Sequence, residues 1–331
     1  MAPTLIRAAS GAPDDAALAE AAALLRAGRL VAFPTETVYG LGGDARSQTA
    51  VAAIFAAKER PADNPLIVHV AALADVEPFA LPDDRARRLA AACWPGPLSL
   101  VLPRRDGVAL PAAAGLPTAA VRVPAHPVAL GLVRAAGVPV AAPSANRSGR
   151  PSPTTAAHVR ADLDGRIPLI LDGGPCQVGI ESTVLALFDD QPRILRPGGT
   201  SAARIAEILG QPVTTAQGSI HSPGTRHPHY RPRTPVLLIG PAVSDAALDR
   251  LHARLPARAG RICTRAPRQG ARYRADAAAL THHLYADLRA LDAPPLLLIE
   301  GITDSQPVME RLRRAATWIL DADADVDAFS L

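Results

Sequence analysis

The stretch Phe33–Gly43 reads FPTETVYGLGG. An apolar lead-in, Leu30-Val31-Ala32-Phe33, predicts a buried strand that stops at Pro34. Three polar side chains follow, Thr35, Glu36 and Thr37, and then Gly40, Gly42 and Gly43. Such a strand-to-loop exit places hydroxyls and open backbone N–H groups at the end of a sheet, where α/β proteins take up ligands. No Gly-Lys-Ser/Thr follows, so the loop is not of the Walker A type. On these residues alone an ordinary polar turn accounts for the stretch equally well.

Moving outward, a helix is predicted on the N-terminal side from Asp14 to Ala27, opened by Pro13 and the two Asp and closed by Gly28. On the other side Ser47 caps a helix to about Ala57, with Val51, Ile54 and Phe55 on one face. Lys58, Arg60 and Asn64 then lie within seven residues around its end. Two cations and an amide at that spacing suit a triphosphate, with Lys as a point charge and Arg as a bidentate fork. A helix C-terminus decorated with cations that favour its dipole would look the same. Composition adds a further observation. Lys58 is the single Lys among 35 Lys and Arg residues, and Asn64 and Asn146 are the only Asn. A bias that replaced Lys by Arg elsewhere makes Lys58 a candidate for a position needing a compact ammonium, and chance survival of one Lys is the alternative.

Further along, strands are expected at Leu66–Val70, Leu98–Leu102, Ala119–Val123 and Val138–Ala141. The last ends in a second polar exit, PSANRSG at Pro143–Gly149. Strands near Leu169–Leu171, Thr183–Phe188 and Ile194–Arg196 and a helix at Ser201–Leu209 complete a first domain, residues 1–210. Residues 211–235 are rich in Pro, Gly, Ser, Thr and His and read as a linker. Beyond it, strands and helices alternate through residues 236–331, which predicts a small βαβ domain with a parallel sheet and no dinucleotide fingerprint. The acidic tail Asp321–Asp327 reads as solvated.

Length and composition agree with two domains: 331 residues, 48% of them hydrophobic, suffice for two packed cores. Every apolar run is interrupted too soon to span a bilayer, and Asp14, Asp15 and Glu20 stand where a signal peptide needs apolar residues. Cys93, Cys176 and Cys263 form no CxxC pair, so neither a disulfide framework nor a zinc site is indicated. A cytoplasmic location is expected. The net charge of +4 points to anionic ligands without choosing among nucleotides, nucleic acid and phosphates.

Arg122 sits inside an apolar strand, and a buried cation must be paired or bind an anion. A carboxylate ligand, Glu36 and Glu181 are all open as partners. His69, also within an apolar strand, suits a satisfied core histidine as well as a ligand. Arg196, before Pro197-Gly198-Gly199, can reach a phosphate or be exposed. No catalytic triad or metalloprotease helix occurs. His227 and His229 bracket a Pro, which is poor geometry for a metal pair. The residues therefore suit a site that binds and orients reactants, as nucleotidyl transfer requires, with Mg²⁺ arriving on the triphosphate and no protein metal cage.

PTETVYGLG at Pro34–Gly42, KERPADNPL at Lys58–Leu66, VRVP around Arg122, PSANRSG and GIESTV at Gly179–Val184 together resemble the YrdC-type threonylcarbamoyl-AMP synthases. SPGTRHPHYRP at Ser222–Pro232, followed by a small α/β domain, resembles the longer, two-domain branch of that family. The resemblance covers essentially the whole chain. It implies an α/β fold: an N-terminal twisted mixed sheet with helices around a basic cleft, and a C-terminal Rossmann-like parallel domain. It implies an enzyme that joins L-threonine, bicarbonate and ATP into threonylcarbamoyl-AMP with release of pyrophosphate, without a prosthetic group. The product would pass to a separate tRNA threonylcarbamoyl transferase complex that modifies the adenosine beside the anticodon. Carried over by position, Thr37, His69, Arg122, Ala142 and Ser182 would hold threonine, with Arg122 on its carboxylate. Lys58, Arg60, Asn64, Thr118, Ser144, Asn146, Ser152 and Arg196 would hold ATP, with Lys58 and Arg60 acting on the phosphates in catalysis. Tyr230 would fold back from the linker as a lid over the nucleotide. Glu59 departs from the family pattern, in which Gly is more usual, and its carboxylate would threaten to pair with a phosphate-binding cation.

An RNA-binding or regulatory protein that uses the same basic cleft without chemistry is the alternative, and weak RNA binding is compatible with either. The polar exits and the Tyr230 segment speak for chemistry. A carbamoyl-adenylate step in hydrogenase maturation would call for zinc-finger and acylphosphatase-like regions that this sequence does not show.

Overall fold

A computed structural model describes residues 3–12, 15–216, 230–302 and 305–329. The chain forms two compact units, Met1–Ser148 with Ser152–His227, and Gly149–Pro151 with Pro228–Leu331. Of the expected linker, residues 217–229, with His227 and His229, lie outside the described residues, as do Pro13 and Asp14.

Hydrophobic runs broken by Pro and Gly become strands in the first unit, and amphipathic runs become helices. Helix Ala16–Arg26 begins where the Asp15 side chain accepts the Ala17 N–H at 2.9 Å. From edge to edge, the sheet runs Leu5–Ala8, Leu169–Asp172, Val31–Phe33, Gly40–Asp44, Val140–Ala141, Ile67–His69, Thr118–Arg122, Leu98–Pro103, Thr183–Ala186, Arg193–Arg196 and Thr214–Thr215. Its pairings are mixed: Ile67–His69 runs parallel to Thr118–Arg122 but antiparallel to Val140–Ala141. Successive side chains go to opposite faces, as strand geometry requires. Val31 and Phe33 pack with Leu132 and Leu169, whereas Ala32 faces the larger core with Leu41, Ile54, Val68 and Leu185.

Strand Gly40–Asp44 departs from the expectation that these glycines belong to an open loop. They form an antiparallel strand against Val31–Phe33, with Gly42 opposite Val31 and Gly40 opposite Phe33. A Cβ on Gly42 would lie 2.7 Å from the Phe33 ring and 2.9 Å from Val140. Here Gly serves close packing and not a ligand's approach to the backbone.

In the second unit all strand pairs are parallel, in the order Arg272–Tyr273, Gly260–Cys263, Leu297–Glu300, Val236–Ile239, Trp318–Leu320. Helices Asp245–Arg254, Ala277–Ala290 and Gln306–Ala315 alternate with them, as the sequence predicts. The acidic tail is more ordered than expected: Asp323–Ala328 is a helix that buries Val326 against Leu248 and Leu320 in the local core. Among the described residues no helix is long and apolar enough to cross a membrane.

Candidate active site

Three strands of the first unit place the site. In their register His69 stands beside Arg122 on one side and Val140 on the other. Arg122 is only 3% exposed, so its charge needs partners. Its Nε donates to Gly96 O at 3.1 Å, Nη1 donates to Thr37 Oγ1 at 3.0 Å, and Nη2 lies 2.6 Å from Glu36 Oε1. Of the two candidate acids, Glu36 is therefore the partner. Glu181 is engaged elsewhere, accepting the Ser152 hydroxyl at 2.6 Å. The second Glu36 oxygen accepts the Ala125 N–H at 3.1 Å. Thr35 shapes the loop that carries these groups. Its Oγ1 accepts the N–H groups of Thr37 and Val38 at 3.2 Å each and donates to Val38 O at 2.7 Å.

His69 is buried, its ring edge-on to Phe33 at 6.2 Å, and its Nδ1 has no hydrogen-bond partner. A buried nitrogen without a partner is costly. Burial, and then the adjacent Arg122 cation, push the His69 pKa down from 6.5 to about 3. The ring is thus neutral at physiological pH. As pH falls below 6.5, the unfolded chain takes up a proton that the folded ring refuses, so stability is lost towards acid. From pH 7 to pH 5 this group alone is expected to remove about 2 kcal/mol. Urea unfolding at the two pH values measures it, and His69→Asn should abolish that part of the difference.

The second cluster forms around Lys58. Helix Gln48–Lys58 ends at Glu59, whose φ of 53° is left-handed, which explains why Gly suits this position. The Glu59 carboxylate does not turn on Lys58 or Arg60. It pairs with Arg147 and, at 2.8 Å, with Arg166, and the Arg147 contact above all holds its pKa below the usual value. The buried Lys58 ammonium donates to Ser144 O and, at 2.6 Å, to Asn146 O. Lys58 O in turn accepts the Ser148 N–H at 2.8 Å. Helix end and second polar exit are therefore one structure. Within the exit, Ser144 Oγ donates to Asn146 Oδ1 at 2.5 Å and Asn146 Nδ2 donates to Arg147 O at 2.8 Å. Asn64 is fully buried, and Arg60 Nη2 reaches Pro65 O at 3.5 Å. Thr118 opens the strand that ends in Arg122, and the Ala142 N–H is held by Ile67 O at 2.9 Å.

A third knot centres on Ser182. Arg196 donates to Ser182 O from Nε at 3.2 Å and from Nη2 at 2.9 Å, and Nη2 also reaches Ser182 Oγ at 3.2 Å. Ser99 Oγ lies 2.8 Å from the same hydroxyl. Sequence reading missed Ser99, a single Ser in the apolar run Leu98–Leu102. Its one signal was a polar residue where both neighbours are buried aliphatics. Tyr230 is described in the second unit, stacked on Tyr285 at 5.5 Å between ring centres, with the Arg311 guanidinium 5.7 Å from its own ring centre.

This arrangement of polar exits around a buried Arg can be set against known proteins. Residues 23–198 match the Sua5/YciO/YrdC family model, described as "Telomere recombination". Residues 200–317 match the model described as "Threonylcarbamoyl-AMP synthase, C-terminal domain". The chain belongs to the Sua5/YciO/YrdC family. Within it, the threonylcarbamoyl-AMP synthase of Bacillus subtilis (strain 168) is 49% identical over 68% of this chain and 67% of its own length. That of Schizosaccharomyces pombe is 39% identical over 88% of this chain and 86% of its own. The crystal structure of Pyrococcus abyssi Sua5 complexed with L-threonine superposes with a TM-score of 0.87 at 36% identity, covering 96% of this chain and 99% of that one. The chain's threonylcarbamoyl-AMP synthase relatives make it an enzyme of the nucleotidyl-transferring type.

Proposed function

We propose that the chain condenses L-threonine, bicarbonate and ATP into threonylcarbamoyl-AMP and pyrophosphate. The observation that carries the reading is the buried Arg122, held by Glu36, Thr37 and Gly96 beside a neutral His69 whose Nδ1 lacks a partner. An amino acid's carboxylate suits Arg122 and Thr37, and His69 Nδ1 can accept a hydrogen bond from its amine or hydroxyl. Ser182 and Ala142 complete the threonine side. Lys58, Arg60, Asn64, Thr118, Ser144, Asn146, Ser152 and Arg196 take ATP.

The threonine amine attacks the bicarbonate carbon, water leaves, and a carbamate forms. A carbamate oxygen then attacks the α-phosphorus, and the bond to pyrophosphate breaks. Holding both reactants in line supplies most of the acceleration. The proposed nucleotide residues are cations, hydroxyls and amides, a set that fits a triphosphate already carrying Mg²⁺ and offers the ion no cage of its own. When bound, Mg²⁺ neutralises charge on the leaving pyrophosphate. The product is a reactive mixed anhydride, consumed by a separate tRNA threonylcarbamoyl transferase complex, and a cytoplasmic activity suits that hand-over.

Pyrophosphate release by the purified chain, measured with ATP and bicarbonate with and without L-threonine, tests the reading. Threonine-dependent release is expected. Its absence, with tight and salt-sensitive RNA binding instead, would return the chain to the RNA-binding alternative.

A further inference from the structure

Three unlike donor groups converge within the second unit. Cys263 ends strand Gly260–Cys263, and Glu300 ends the neighbouring parallel strand Leu297–Glu300. His252 lies on helix Asp245–Arg254, whose Leu248 and Leu251 share one core with Leu296 and Leu298. The thiol, one carboxylate oxygen and one imidazole nitrogen lie within 4.8 Å of one another. Cys263 and Glu300 are fully buried, and the His252 side chain is 9% exposed. The Glu300 oxygens differ in what they meet. Oε2 accepts the N–H of Thr264 at 2.7 Å and that of Arg265 at 3.0 Å. Oε1 is turned to His252 Nε2 at 3.4 Å and lies 3.9 Å from Arg268 Nε. Arg268 has a carboxylate of its own, since its Nη2 meets Asp249 Oδ1 at 2.6 Å. A charge-assisted N–H···O bond closes to about 2.7–2.9 Å, so the imidazole and Oε1 stand too far apart for a strong direct bond. Their spacing instead matches two ligand atoms on one tetrahedral Zn²⁺, which are about 3.3 Å apart when each stands about 2.0 Å from the ion.

We propose that His252 Nε2, Cys263 Sγ and Glu300 Oε1 form a binding site for a divalent ion of the zinc class. Nitrogen, sulfur and oxygen donors together suit Zn²⁺, whereas Mg²⁺ and Ca²⁺ call for oxygens. The charges balance. The thiol gives its proton to solvent, thiolate and carboxylate bring two negative charges, the imidazole stays neutral, and the ion cancels both. Such a neutral cluster can be buried, and Arg268 keeps Asp249 as its partner. Three protein ligands leave the fourth position to water. The bound ion ties the helix to both strand ends and so stabilises this unit. Spacing along the chain indicates no zinc site, because each ligand sits on a different element.

The test uses the full chain, stripped with a chelator and titrated with Zn²⁺ or Co²⁺ alone. One equivalent of Zn²⁺ is expected to bind with a Kd below about 1 μM and to raise the melting temperature. Co²⁺ is expected to show thiolate-to-metal absorption in the near ultraviolet and the visible bands of a tetrahedral ion. Cys263→Ser should abolish the thiolate absorption. Cys263→Ser and His252→Gln should each weaken Zn²⁺ about 100-fold, at least as much as the loss of an outer partner of a metal site costs. Both variants leave Glu300 in place to hold the Thr264 and Arg265 N–H groups, and circular dichroism of the stripped proteins checks that they fold. Cys176→Ser, which changes a buried thiol of the first unit, should bind Zn²⁺ as the wild type does. A wild-type Kd above about 1 μM overturns the proposal. So does undiminished binding in folded Cys263→Ser or His252→Gln, which would assign the ion to other side chains.

Discussion

Lys58→Ala is expected to lower threonine-dependent turnover by about 10²- to 10³-fold, the scale of removing one charged group from a preorganised site. The loss has two sources. A cation leaves the proposed triphosphate site, and the carbonyls of Ser144 and Asn146 lose the ammonium that draws them together. Each buried carbonyl left short of a donor costs about 1–3 kcal/mol, so the melting temperature has to be followed alongside turnover. Lys58→Arg separates the two sources. A guanidinium keeps the charge, but its planar fork cannot sit as a point between two carbonyls of one tight turn. Turnover below about a tenth of wild type in Lys58→Arg is the expected outcome, and full activity would show that a compact ammonium is not required.

Arg122→Met is expected to be costly in a different way. It strands the Glu36 carboxylate, which is buried with Arg122 as its cation. Breaking a buried ion pair from one side costs about 3–5 kcal/mol, because an uncompensated charge remains. Adding Glu36→Gln removes that charge and should restore most of the stability in urea unfolding. It should not restore threonine binding, because the carboxylate's proposed anchor is still missing. A double variant that is stable and active would remove Arg122 from the threonine site. A double variant as unstable as the single one would mean that the loss lies in the Gly96 and Thr37 contacts instead.

Much of this architecture was legible in the chain. The run Leu30–Phe33 ending at Pro34 and the run before Ser144 both form strands that end in polar loops, as an apolar run broken by Pro predicts. The scarcity of Lys and Asn drew attention to Lys58, Asn64 and Asn146, and the structure ties Lys58 directly to Asn146. Other features depended on distance in space. Glu36 and Glu181 were equal candidates for Arg122 until the loop after Phe33 brought Glu36 Oε1 within 2.6 Å of its guanidinium. Ser99 carries no local mark, because its meaning comes from Ser182, which lies 83 residues away in sequence. The acidic tail read as solvated because one apolar residue, Val326, among several Asp gives no periodicity, yet that residue anchors the helix. Gly149–Pro151 shows no break in the sequence, yet it groups with the second unit.

The fit of Gly42 against the Phe33 ring has an evolutionary side. Even the smallest side chain at 42 would meet Phe33 and Val140 within 3 Å, so a substitution here forces the buried neighbours to shift. Thr37, five residues earlier, touches Arg122 and is constrained by the proposed chemistry. A single short stretch thus carries two kinds of constraint with separate causes, one answering to folding and one to the proposed substrate. Invariance along it, taken by itself, cannot be read as a map of the catalytic surface.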